Sequence, residues 1–106
     1  MSTSINDLRR LLESILGFEY ESGDHVRYVL RVNGLIVART KFSHSWRGNQ
    51  QIDASILSLQ ARQLHCSNGT LKKLLSGTLE KQDYFRELLK GGHITQDDFD
   101  SMFGSK

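Results

Sequence analysis

The sequence predicts an α+β domain: an antiparallel three-stranded sheet with helices gathered on one of its faces. Three observations carry this. Apolar residues recur at three- and four-residue spacing from Ile5 to Ile15, alternate from Phe18 to Phe42, and return to helical spacing from Ile56 onward. Asn33-Gly34 divides the alternating stretch, and this dipeptide is the strongest short hairpin signal. Helix, strands and then helices, rather than strands alternating with helices, favour an antiparallel sheet. A chain of 106 residues, 38% hydrophobic, suits one core of ordinary size and not two.

The first helix is capped by Ser4, with Asp7 at its third position completing a capping box. Its buried stripe is Ile5, Leu8, Leu11, Leu12 and Ile15, and Gly17 is a left-handed stop. Phe18 and Tyr20 alternate with Glu19 and Glu21 over a short strand, and Ser22-Gly23-Asp24 is a turn. His25 to Val32 and Leu35 to Phe42 then form the hairpin. A two-residue loop and a regular ladder pair Val32 with Leu35, Leu30 with Val37, Tyr28 with Arg39, and Val26 with Lys41 on the core face. The other face carries Arg31 with Ile36, Val29 with Ala38, Arg27 with Thr40, and His25 with Phe42. His25, Arg27 and Arg31 thus project together, and His44 joins them if the strand continues. In this register Lys41 has core-face parity, but from the strand end its long side chain reaches round the rim.

Ser43 to Gln51 is a polar loop. A helix over about Asp53 to His65 buries Ile56, Leu57, Leu59, Ala61 and Leu64. Ser67 caps a helix with Leu71, Leu74 and Leu75 inward, stopped by Gly77. Thr78 caps the next, with Leu79, Phe85, Leu88 and Leu89 inward and Gly91-Gly92 ending it. Thr95 with Asp98 is a second capping box, for a short helix around Phe99, Met102 and Phe103.

Composition excludes several classes. The longest apolar runs fall far short of the ~20 residues a membrane span needs, and the N-terminus has no apolar signal core. One cysteine, Cys66, forms no internal disulfide, and with four scattered histidines it leaves no metal-finger spacing. Balanced charge and recurring apolar residues argue against disorder. The expectation is a small soluble cytoplasmic domain without metal or cofactor. A net charge of +2 is too small to announce a nucleic-acid binder by itself.

The chemistry-bearing residues cluster around the hairpin. Imidazole titrates near neutrality, so a strand-end histidine such as His25 suits proton transfer. An arginine two residues on, Arg27, can hold a phosphate in bidentate fashion. Composition alone favours the plainer reading of a solvated histidine beside a surface arginine. His44, Trp46 and Arg47 form a second group, in which the indole stacks on an unpaired base and arginine meets phosphate. Equally, Trp46 can fold back to shield Phe42. Lys72 and Lys73, read as lying near a helix start, can meet a phosphate, although a solvated helix face is the simpler account. For Cys66, core packing is favoured over a nucleophilic role beside His65.

In context, Gly23-Asp24-His25-Val26-Arg27-Tyr28 resembles the glycine–serine/threonine–histidine–x–x–aromatic motif of the HicA-like (YcfA-like) toxins. In that family the motif follows a helix and a strand, as it follows Asp7 to Leu12 and Gly17-Phe18 here. Phe42-Ser43-His44 and the Ile56 to Leu64 stripe are similar to the family's third strand and following helix. Asp24 stands where the family carries serine or threonine. The resemblance implies a double-stranded-RNA-binding-domain-like α-β-β-β-α core over residues 1–76, with residues 77–106 a helical C-terminal extension. It further implies RNA as ligand, metal-independent cleavage of mRNA with His25 as the key residue, and a HicB-like antitoxin as partner. Arg27, Arg31, His44, Trp46, Arg47, Lys72 and Lys73 are the RNA-binding candidates. The competing reading is a non-catalytic nucleic-acid-binding or protein-interaction module. The stretch Leu88 to Phe99 resembles the short SHOCT helical motif, which implies a helical hairpin closed by Ile94 and Phe99 and used for homo-oligomerisation.

Overall fold

The computed structural model describes residues 3–23, 25–43 and 45–104. Its order is α1 (Ile5–Arg10, continued by a π-helical segment Leu11–Leu16), β1 (Glu19–Glu21), β2 (Val26–Val32), β3 (Leu35–Phe42), α2 (Ala54–Gln63), α3 (Asn68–Ser76), α4 (Lys81–Lys90) and α5 (Gln96–Phe103). The strands form one antiparallel sheet in the order β1-β2-β3. The molecule is therefore α+β, as the sequence predicts, with a three-stranded sheet and five helices among the described residues. No helix among the described residues is long and apolar enough to cross a membrane.

Local sequence accounts for most element ends. The Ser4 side chain accepts from the Asp7 N–H while Asp7 accepts from Ser4, and the same reciprocal box joins Thr95 and Asp98. Asp53 caps α2 and Ser67 caps α3 through their side-chain oxygens. Asn33 and Gly34 take φ of 53° and 82°, the two left-handed conformations that a type I′ turn requires. The cap of α4 differs from expectation. Glu80, not Thr78, is its N-cap and forms a box with Asp83, because Gly77 to Leu79 are still closing the end of α3 onto the Lys73 and Leu74 carbonyls.

Helical phase changes inside the first helix. The π turn takes more residues per revolution, so the inward position slips by one after Leu12. Leu16 is fully buried, and Ile15, expected in the stripe, is 44% exposed. In α2 the expected Leu59 is likewise outside, and Gln60 is buried in its neighbourhood because Thr40 offers it a partner.

The hairpin register carries the main correction. Val32↔Leu35 and Arg31↔Ile36 pair as expected, but the ladder then shifts, so that Leu30 pairs with Ala38 and Val37 becomes an extra residue on β3. Below the bulge the faces of β3 are exchanged relative to a regular ladder. Ala38, Thr40 and Phe42 join Tyr28, Leu30 and Val32 toward the helices, and Arg39 and Lys41 join Arg27 and Val29 on the other face. Leu35, expected in the core, lies at the hairpin tip beyond the helices and is 70% exposed.

One core holds the chain together. Ile5, Leu8, Leu12 and Leu16 pack with Tyr28, Leu30, Phe42, Leu57 and Leu64, and the cluster continues through Leu74, Tyr84, Phe85 and Leu88 to Ile94 and Phe99. The C-terminal helices thus share the core of the sheet. Tyr84 stitches the two parts together, its hydroxyl donating to the Leu64 carbonyl at 2.9 Å while its ring meets Phe18. All of this lies on one sheet face, leaving the other face free of helices.

Candidate nucleic-acid interface

The uncovered sheet face is built from short rows. Glu19 and Glu21 of β1 oppose Val29 and Arg27 of β2, which in turn oppose Arg39 and Lys41 of β3. Val29 is buried although it is not part of the core cluster, because long neighbouring side chains cover it. A depression of about 350 Å³ lies over this patch, lined by Glu21, Arg27, Val29, Ile36, Arg39, Thr40, Lys41 and Gln63. Arg31 belongs to the same face but is engaged by both acids of β1. Its Nε donates to Glu19 at 3.1 Å, and its Nη2 to Glu21 at 3.4 Å. Among the described residues of this face, the cations outside an ion pair are Arg27, Arg39 and Lys41.

A second depression, of about 520 Å³, opens at the foot of β3 between His25, Lys41, Phe42, Ser43, Ser45, Trp46, Leu59 and Gln63. Its wall is aromatic for a traceable reason. Phe42 packs against Tyr28 at 5.1 Å and carries Trp46 on its other side at 5.3 Å, so the indole is half-buried against the sheet. The fold-back of Trp46 onto Phe42 and its presence in an open groove therefore occur together. The Arg9 guanidinium lies 5.5 Å from the Phe42 ring centre. Tyr28, beneath, donates to Glu13 at 2.5 Å and accepts from Arg9 at 3.4 Å. Burial, and then the bond to Glu13, raise the Tyr28 hydroxyl above its ordinary value, so it stays protonated.

Lys41 and Gln63 line both depressions and join them. Gln63 fixes this junction, its Oε1 accepting from the Lys41 N–H at 3.1 Å, and Gln60 Nε2 donates to the Lys41 carbonyl at 3.3 Å. The Thr40 hydroxyl proton is shared between Gln60 and Gln63, at 2.6 and 2.5 Å. These side chains occupy hydrogen-bonding groups on the outer edge of β3, which protects that edge from pairing with another chain.

The structure thus brings His25, Arg27, Trp46 and the rim lysine Lys41 to two adjoining depressions and adds Arg39 and Gln63. Arg31 shares the face but is ion-paired. Asp24 and His44 lie outside the described residues. Arg47 is exposed in the loop after β3, where its carbonyl accepts from the Gln50 N–H, and its side chain lines neither depression. That loop also docks on α1, the Gln50 and Gly48 carbonyls accepting from the N–H groups of Ile5 and Asn6. Lys72 and Lys73 sit in the middle of α3, past its first turn, rather than near its start. They line a separate cavity of about 600 Å³ with Ile52, Asp53, Leu57 and Leu75. Cys66 is half-buried, and this burial with Glu87 pushes its thiol up to about 12, so it is a packing residue with little thiolate. Among the described residues no group of three His, Cys, Asp or Glu side chains could hold a metal ion.

The sequence missed Arg39 because a regular ladder buries it, and it placed Lys41 on the rim only by the length of its side chain. The bulge that turns both outward has no glycine to announce it. Compared with known proteins, the chain matches no family model, no curated protein and no solved structure.

Proposed function

We propose that this protein binds RNA across its uncovered sheet face and cleaves it with His25, in the manner of the HicA-like toxins that its Gly23 to Tyr28 motif resembles. The observation that carries this reading is the junction at Lys41. It links a groove holding an imidazole and an indole to a patch holding Arg27, Arg39 and Lys41. A splayed base stacks against Trp46 and Leu59, and the backbone phosphates follow the three cations. The helix–strand–strand–strand–helix order over the first part of the chain supports a double-stranded-RNA-binding-domain-like topology.

The chemistry is a transesterification. The ribose 2′-oxygen attacks the neighbouring phosphorus and loses its proton to a general base. The bond from phosphorus to the 5′-oxygen breaks, and the leaving oxygen receives a proton, giving a 2′,3′-cyclic phosphate. His25 serves as the general base or acid at one of these two ends, and Arg27 with Lys41 stabilises the charge that develops on the phosphoryl oxygens. This activity belongs to the cytoplasm, with a HicB-like antitoxin covering the same face and homo-oligomerisation through the C-terminal helices.

His25→Ala tests the reading. Cleavage of a mixed-sequence RNA should vanish while binding of the same RNA persists. Binding by the unaltered chain without cleavage under any condition would leave a non-catalytic RNA-binding module. Absence of binding would refute both.

A further inference from the structure

We propose that His65 and His93 form an acid-sensitive latch that fastens the turn between α4 and α5 to the end of α2. The inference is independent of the RNA reading. The two imidazole rings are stacked, with centres 3.8 Å apart and planes 14° from parallel. They come from chain segments far apart in sequence, and both ends of the contact are shaped for it. His65 follows α2 with φ of 63°, a left-handed conformation uncommon for a side-chain-bearing residue, and this turn aims its ring at the Val37 carbonyl on the β3 bulge. On the other side the His93 ring folds over Gly91, where an added Cβ would stand 2.9 Å from His93 Cδ2. The His93 N–H closes the turn onto the Leu88 carbonyl at 2.9 Å.

Neutral rings stack without penalty, whereas two imidazolium rings at this distance repel. The groups around the pair favour neutrality. On β3, Arg39 lines the same depression as His65 together with Gln63, and its charge is also positive. Cys66 is a protonated thiol at the start of the next segment, and Tyr84 on α4 is a protonated phenol. Glu87 on α4 is the neighbouring acid, with its charge felt at Cys66 and Tyr84. Both residues are exposed, yet partial desolvation of the ring, and then the adjacent His93, lower His65 below the ordinary histidine value of 6.5, and only the Val37 carbonyl opposes them.

The sign follows from proton counting. The closed latch holds fewer protons than the open one, so it is secure above the ordinary histidine value and weakens as pH falls through and below it. Opening frees the α4–α5 turn. It also slackens the end of α2, where Gln63 holds the Lys41 backbone.

The test is a pH titration of the full chain by nuclear magnetic resonance, following the histidine rings and exchange of the His93 amide. His65 should titrate below the ordinary value. Protection of the His93 amide, corrected for intrinsic exchange, should fall over the same range, by up to about tenfold per pH unit for each proton taken up. His93→Phe keeps a ring in the stack but carries no charge. It should abolish the acid-dependent loss of protection and raise the titration of His65. His65→Asn, which tolerates the left-handed backbone, is the second variant and should also abolish the acid dependence. Protection that stays flat with pH in the unaltered chain, or an acid-dependent loss that survives either folded variant, overturns the proposal.

Discussion

Deleting Val37 should leave the fold intact, although removing one residue from the middle of a strand ordinarily exchanges its two faces. Val37 is the surplus residue of the bulge, between Ile36 on the uncovered face and Ala38 on the core face. Without it those two residues alternate as a regular strand requires, and Ala38, Thr40 and Phe42 keep their places opposite Leu30, Tyr28 and Val26. One loss remains. Val37 is partly buried against the core, and half of a valine's burial is worth roughly 1 kcal/mol, or a fall in Tm of about 5 °C for a domain of this size. Thermal unfolding by circular dichroism reads that fall. Contacts between the Leu30 and Ala38 strands by nuclear magnetic resonance read the retained register. A deletion variant that fails to fold would mean that β3 runs without a bulge, so that the deletion itself turns Arg39 and Lys41 over.

Three further outcomes follow. If RNA lies on the uncovered face, the plot of log affinity against log salt should have a slope of about −2. This follows from three cations at roughly 0.7 released counterions each on a single strand. Arg27→Ala, Arg39→Ala and Lys41→Ala should each reduce it by about 0.7, and Arg31→Ala, whose charge is already met by Glu19 and Glu21, should change it little. Leu16→Ala should destabilise the protein by about 2–5 kcal/mol, and Ile15→Ala, at a half-exposed position, by only about 1 kcal/mol, in chemical denaturation; equal effects would refute the π-helical shift of phase. With its thiol pushed up to about 12, Cys66 should resist iodoacetamide near neutral pH and react once the chain is denatured, and rapid alkylation of the folded protein would contradict its burial.

Features decided by neighbouring residues in sequence were legible without coordinates. The boxes Ser4–Asp7 and Thr95–Asp98, the Ser67 cap and the Asn33-Gly34 turn satisfy local backbone groups, and their chemistry is written in two to four consecutive residues. What was illegible depends on partners far along the chain. The bulge at Val37 has no glycine to mark it, and it is met by His65 from the end of α2. Gln60 is buried in preference to Leu59 because Thr40 and Lys41 supply its hydrogen bonds. The π turn exchanges Ile15 for Leu16, two residues that hydropathy cannot tell apart. At the site the same division holds. His25, Arg27 and Trp46 were visible as a motif and an aromatic loop, and Lys41 was placed at the rim by the reach of its side chain, but Arg39 could be assigned to the ligand face only with the bulge known. Arg31 looked equally available because nothing in the sequence shows that Glu19 and Glu21 fall beside it.

The central claim is that the two depressions joined at Lys41 form one RNA site. It is tested most directly by titrating the isotope-labelled protein with a short single-stranded RNA and mapping the perturbed resonances. The account predicts shifts in the Arg27, Arg39 and Lys41 amides and the Trp46 indole N–H together, at one common affinity, with Lys72 and Lys73 unmoved. Perturbation confined to the cavity of Lys72 and Lys73, with the sheet face and Trp46 unmoved, would contradict it.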